Sequence, residues 1–392
     1  MAYDFETVID RTGTGASKWE AMRAANPDVP AGIAPFSVAD LDLATAPEIA
    51  EGLREYLRTA VLGYTVPTDA YWESVTGWFR RRHGWTVDRA HVTPTPGVVP
   101  ALYTAVRAYT EPGDGVIVQT PAYYPFYRAI EQNGRTVVRN PLVLRDGRWR
   151  LDLDDLAEKA KDPRNRLLVF CSPHNPTGRV WERDELEAVA RIAIENDLIV
   201  ISDEIHFDLI LPGSTHTVLS TLGPEVAART VVCTAPSKTF NLAGMGLSNI
   251  VITDDALREA YRAEQALTGF SAITTLGYEA CRLAYDEAEG WLAGLIGLVE
   301  ANHRLVRDFL AERMPEVRVF DLEGTYLQWL DLRGLGHDAG ELRRRNTREA
   351  LVFFNEGAIF GPEGEGFERM NIAAPRAAVA AALERLATAY GR

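Results

Sequence analysis

Three apolar runs in the middle of the chain read as buried strands, and each ends in residues able to do chemistry. Residues 166–171 lead into Ser172-Pro173-His174-Asn175-Pro176-Thr177-Gly178, 198–202 into Asp203-Glu204-Ile205-His206, and 230–233 into Ala235-Pro236-Ser237-Lys238-Thr239. In open α/β sheets, ligands bind beyond the carboxyl ends of the strands, so the three tips can face one site. An amide, a carboxylate and a lysine delivered there suit a heteroaromatic aldehyde. The amine forms an imine with the aldehyde, the carboxylate pairs with a protonated ring nitrogen, and the amide donates to a phenolic oxygen. Each feature alone has a plainer reading: a solvated loop lysine, a helix-capping or metal-binding Asp-Glu pair, and Asn-Pro-Thr-Gly as good turn chemistry. Their combination, in this order, favours the cofactor.

Such a cofactor needs an anchor. Thr95-Pro96-Gly97-Val98-Val99-Pro100-Ala101-Leu102 reads as a tight turn entering a helix. Backbone N–H groups at a helix start hold a phosphate without a side-chain charge. Tyr123, in Pro121-Ala122-Tyr123-Tyr124-Pro125-Phe126, follows the strand expected at 115–119 and offers a flat face for a ring.

The elements that must position these groups alternate. Apolar runs at 115–119, 166–171, 198–202, 230–233 and 249–252 are separated by helical patterns such as Arg183–Glu195, where Leu186, Val189, Ala190 and Ala193 recur at helical spacing. Strand and helix in alternation imply an α/β fold with a mostly parallel sheet covered on both faces. The tail differs: a long helix at 291–310, strands at 317–320 and 326–330, then helical patterns at 339–355 and 376–390 describe a smaller α+β lobe. The first forty residues or so are expected to pack on it. At 392 residues the chain is long for one core, and the expected division is a large domain at 45–285 and a small one from 1–44 with 286–392.

Composition excludes more than it assigns. A net charge of −14 argues against a nucleic-acid or anionic-membrane surface. Residues 1–11 carry charges of both signs and no apolar run, so no signal peptide is read there. Nor does any window approach a bilayer-spanning stretch. Cys171, Cys233 and Cys281 sit in apolar surroundings and read as free thiols of a reducing cytoplasm. Gly13-Thr14-Gly15 lacks the preceding strand and the third glycine of a dinucleotide site, and Ser237-Lys238-Thr239 lacks the upstream glycines of a P-loop. No His/Cys cluster has metal-ligand spacing, so no metal is expected.

At these residues the chain resembles the fold-type I pyridoxal 5′-phosphate (PLP) enzymes of the class I/II aminotransferase superfamily, and within it the cystathionine β-lyase (cysteine-S-conjugate β-lyase) subgroup. The likeness runs from Phe5-Glu6-Thr7-Val8-Ile9-Asp10-Arg11 through Val38-Ala39-Asp40, Gly63-Tyr64-Thr65 and the motifs above to Glu323-Gly324-Thr325-Tyr326 and Arg369-Met370-Asn371. It implies a seven-stranded sheet flanked by helices and a PLP imine on Lys238, which also shuttles the α-proton. It further implies that Asp203 pairs with the pyridinium nitrogen, Asn175 donates to the ring oxygen and Tyr123 stacks. Gly97, Val98, Val99 and Ser237 would hold the phosphate, with His206 among the cofactor contacts. Tyr64 would reach in from a second subunit of a homodimer. Arg369 would clamp the substrate carboxylate, helped by backbone at Ala39, with Ser37, Asn175 and Tyr326 beside the substrate.

Two positions separate the subgroup from ordinary aminotransferases: His206 replaces a tyrosine three residues after the aspartate, and Gly246 replaces an arginine eight residues after the lysine. The chain also departs from the subgroup, with Phe36-Ser37 where a tryptophan usually precedes Val-Ala-Asp and Thr274-Thr275 in place of a Pro-Asn pair. A hydroxyl in place of an indole suggests a larger or more polar substrate than cystathionine. The expected reaction is α,β-elimination of a cysteine S-conjugate to thiol, pyruvate and ammonia. Transamination, and decarboxylation with oxidative deamination, are the rival PLP chemistries.

Overall fold

A computed structural model describes residues 3–270 and 273–391. Met1 and Ala2, the start of the stretch read for a signal peptide, and Arg392 lie outside the described residues.

The large lobe is built on strands β1 (Val92–Thr95), β2 (Gly115–Thr120), β3 (Thr136–Pro141), β6 (Asn165–Cys171), β7 (Ile199–Asp203), β8 (Thr230–Thr234) and β9 (Ser248–Ile252), with a small hairpin, β4 (Val143–Arg145) and β5 (Arg148–Arg150), between β3 and β6. The sheet order is β1-β9-β8-β7-β6-β2-β3. The pairs among β3, β2, β6, β7 and β8 are parallel, whereas β9 runs antiparallel to both β8 and β1. Strands β2, β7 and β8 are buried on both faces or nearly so. That is why they read as unbroken apolar runs rather than alternating ones. Each expected strand of this lobe is present, within a residue or two of its expected ends.

Helices cover both faces. Val98–Tyr109 buries Ala101, Leu102, Ala105 and Val106 against one side of the sheet, and Arg183–Glu195 buries Leu186, Val189, Ala190 and Ala193 against the other. The helix Glu289–Arg313 leads to an antiparallel sheet of β10 (Arg318–Val319), β11 (Leu327–Asp331), β12 (Asn355–Glu356) and β13 (Phe367–Asn371), in the order β10-β11-β13-β12.

The helix expected through 339–355 stops early. Ala339–Arg344 is α-helical, Arg345–Glu349 forms a wide π turn, and Leu351 adopts a left-handed φ of 53°. The apolar residues that continued the helical period are buried in extended chain instead. The carbonyl of Phe353 accepts from the N–H of Phe36 at 2.9 Å, and Asn355 enters β12. Pairing with the N-terminal arm thus overrides local helical preference.

That arm wraps the small lobe. Trp19, Met22 and Val29 share a cluster with Phe353, and the side-chain amide of Asn26 donates to the carbonyl of Thr347 at 2.9 Å. The arm then crosses to the sheet tips, where its residues 36–42 become part of the site.

Candidate active site

The tips of β6, β7 and β8 open into one cavity, lined among others by Gly97, Val98, Val99, Tyr123, Asn175, Asp203, His206, Ser237 and Lys238. Register explains the convergence, since Cys171 pairs with Asp203, and Asp203 with Cys233, across adjacent parallel strands. The residues after each strand therefore emerge side by side.

Lys238 sits in the single helical turn Pro236–Thr239, and its Nζ donates to the carbonyl of Ala39 at 2.9 Å. Burial, with a smaller push from Arg369, lowers its pKa to about 8, against the opposing pull of Asp40 and Asp203. Burial raises Asp203 to about 7. Among the described residues its recorded hydrogen bond is from the Ile205 N–H at 3.2 Å, so a buried carboxylate faces the cavity without a paired cation. A protonated ring nitrogen is the kind of donor that such a carboxylate calls for. His206 is buried, its Nδ1 has no partner among the described residues, and burial holds it well below the usual imidazole range, so the ring is neutral.

At the anion end, Gly97 caps the helix Val98–Tyr109 with a φ of 154° and presents the first-turn N–H groups to the cavity. Gly246 stands close behind. Its φ of 57° is left-handed, and an added Cβ would lie 3.7 Å from the carbonyl of Pro96. A side chain there would be strained, so the phosphate cradle carries no arginine from this position. A helix start, a nearby hydroxyl at Ser237, a flat tyrosine, an unpaired carboxylate and a lysine together fit PLP.

A second group of side chains comes from the small lobe. Arg369 on β13 is buried, and burial lowers its pKa to about 10, still a cation at neutral pH. Its Nη1 donates to Asn175 Oδ1 at 2.8 Å and its Nη2 to Asn355 Oδ1 at 2.7 Å, while the guanidinium lies 4.7 Å from the centre of the Phe360 ring. Nε has no partner. Tyr326 donates its hydroxyl to the Ala39 carbonyl at 3.0 Å, so Ala39 receives both Lys238 and Tyr326.

Of the residues expected at the site, Arg369 and Tyr326 stand behind the cavity lining and reach it through Asn175 and Ala39. Ser37 is buried and also stands outside the lining, which the arm enters through Ala39. Tyr64, expected from a second subunit, is fully exposed on a separate surface with Leu62, Thr65, Thr274 and Thr275.

Sequence reasoning also passed over the residues that hold the arm. Asn371 Nδ2 donates to the carbonyls of Val38 and Asp40 at 2.9 and 2.7 Å, and Asn355 Oδ1 accepts from Val38 N–H at 2.8 Å. Asn241, with φ 58°, bonds both the N–H and the carbonyl of Leu41 at 3.0 Å. Below them Lys18 and Asp42 form a fully buried ion pair at 2.7 Å, joined by Arg11 and Asp40. One signal was available: Asn371 lies two residues beyond Arg369, hence on the same face of its strand.

Comparison with known proteins agrees with this geometry. Residues 33–386 match the family model "Aminotransferase class I and II". The chain is 38% identical to cystathionine β-lyase PatB of Bacillus subtilis, over 98% of this chain and 99% of that one. Among solved structures it superposes on PLP-containing cystalysin of Treponema denticola with a TM-score of 0.98 and 46% identity, covering 99% of both chains. It also superposes on a PLP-bound C–S lyase of Staphylococcus hominis, with a TM-score of 0.90 and 30% identity over 99% of both.

Proposed function

The chain belongs to the aminotransferase class I and II family, and we propose that within it the protein is a PLP-dependent carbon–sulfur β-lyase acting on a cysteine S-conjugate. The observation that carries this reading is the whole-chain likeness to cystathionine β-lyase and C–S lyases, at 30 to 46% identity. The cavity that gathers Lys238, Asp203, Asn175 and Tyr123 supports the cofactor chemistry this reading needs.

When bound, PLP supplies an aldehyde that takes the substrate amine and a ring that accepts electrons from the α-carbon. Arg369 binds the substrate carboxylate, with Asn175 and Asn355 fixing the plane of its guanidinium. Asp203 would keep the ring nitrogen protonated, and Tyr123 would cover the ring face. Lys238, with a pKa near 8, is partly unprotonated at neutral pH, so its Nζ can take the α-proton. The C–S bond at the β-carbon then breaks with its electron pair leaving on sulfur as thiolate. Water and the remaining three-carbon fragment give pyruvate and ammonia.

The lobes implied are a PLP-binding domain at 45–285 and a small domain from 1–44 with 286–392. The protein works as a homodimer in which Tyr64 reaches the partner's phosphate site. The run of exposed Val61, Leu62, Tyr64 and Val66, 65% exposed or more, supports this, because such a patch is rarely left to water. A reducing cytoplasm suits the three buried free thiols.

The test is incubation of the PLP-loaded protein with an S-alkyl-cysteine. Pyruvate and free thiol in equal amounts without any keto-acid acceptor are expected. Product that appears only when an acceptor is added would assign transamination instead, and an aldehyde with carbon dioxide would assign decarboxylative chemistry.

A further inference from the structure

Asp208 lies five residues beyond Asp203, outside the cavity lining, and is buried. Its Oδ1 accepts from the Trp78 indole N–H at 3.1 Å and faces His83 Nε2 at 2.8 Å. Its Oδ2 accepts from the Thr239 hydroxyl at 2.7 Å. Thr239 is also buried, follows Lys238 directly and closes the same helical turn. The Asp208–Thr239 bond therefore joins the loop that follows Asp203 at the end of β7 to the turn after β8, which carries Lys238. Trp78 and His83 fix the carboxylate from the helix Asp69–His83, with the His83 ring stacked on Phe207 at 4.0 Å.

These two loops would hold the two ends of the PLP ring. A cross-link between them fixes how far the lysine nitrogen stands from the carboxylate that would pair with the ring nitrogen, beyond what the pairing of β7 with β8 sets. Lys238 is otherwise placed by that strand pairing, by its own turn with the Leu242 N–H bond to the Ser237 carbonyl, and by the Ala39 carbonyl. We propose that Asp208, acting through Thr239, is a positioning residue that fixes Lys238 relative to Asp203 for proton transfer. Neither residue touches the substrate. This inference rests on the reading of Lys238 given above.

The test compares Thr239→Val, which removes the hydroxyl at nearly constant shape, with Thr239→Ser, which keeps it, both loaded with PLP. The groups around Lys238 that set its titration, Arg369, Asp40 and Asp203, are untouched by either change. Thr239→Val is expected to lower kcat about ten- to a hundredfold, since sub-ångström misplacement of a reacting group has effects of this order. KM should stay within about threefold, because Arg369 is unaffected, and the pH midpoint of the visible PLP band should move by about half a unit or more. Thr239→Ser should restore both. A Thr239→Val protein with wild-type kcat and midpoint overturns the inference, whatever its melting temperature, because a purely structural bond would change only stability. If Thr239→Val does not fold, Thr239→Ala gives the same comparison. Borohydride reduction and peptide mass spectrometry on each variant keep the two readings apart: an adduct on another lysine refutes the Lys238 assignment and this inference with it, whereas an adduct on Lys238 with unchanged kinetics refutes this inference alone.

Discussion

The half of the site proposed to meet the ring and the half proposed to meet the substrate are made differently. Asn175, Asp203 and Lys238 follow three neighbouring strands, and parallel register alone places them together. Arg369, Asn355, Asn371 and the 36–42 arm come from segments over 300 residues apart, joined by side-chain amides that grip backbone. The first half is an outgrowth of a buried sheet. The second is a hydrogen-bonded clasp, and each of its contacts contributes about 0.5–1.5 kcal/mol. The cofactor half should therefore respond to charge, and the substrate half to the loss of single bonds.

The largest effect expected from this contrast is on pH-dependent stability without PLP. Asp203 has a folded pKa of about 7 against an ordinary 3.8, so the folded chain holds its proton more tightly than the unfolded one. Its contribution is complete below about pH 4 and is lost as pH rises to about 7, a change of about 4 kcal/mol. Denaturant titration of the PLP-free protein should show stability falling over that window, and Asp203→Asn should remove this component. Glu368, raised to about 8 by burial, contributes in the same direction and remains in the variant, so the difference between the two curves isolates Asp203. PLP should also flatten the curve by pairing with the carboxylate. A wild-type curve that matches Asp203→Asn would show that the carboxylate already has a partner.

Next in size, Arg369→Lys keeps a positive charge but loses the planar fork that Asn175 and Asn355 orient. We expect kcat/KM for the S-conjugate to fall about a hundredfold while the visible PLP band is unchanged. Loss of the band would mean that the two halves are not separable.

The smallest effect sharpens the picture of the clasp. Asn241→Ala removes both bonds to Leu41 and puts alanine at a left-handed φ of 58°. A loss of about 1–3 kcal/mol in urea denaturation is expected, with KM rising several-fold and the PLP spectrum unmoved. An unchanged KM would show that the arm does not depend on this anchor.

The same contrast explains what could be read from the chain beforehand. Strands β6, β7 and β8 were visible because burial on both faces makes them continuous apolar runs, and their polar tips stood out against that background. Edge strand β3 was not, since half-exposed Arg139 and buried Asn140 break any apolar pattern. The clasp was hardly visible at all. Nothing in the local period around Asn355 indicates a bond to Val38, and the run at 339–355 suggested a helix because Val352 and Phe353 are buried against a distant arm rather than along a helical stripe.

The wrapped arm has a consequence for how the protein is made. Residues 36–42 leave the ribosome more than 300 residues ahead of their anchors at Asn355 and Asn371. A nascent chain can complete the large sheet, with Lys238 at its tip, while the clasp is still lacking. Vitamin cofactor arriving in that interval would meet an open pocket, which the later segment then closes.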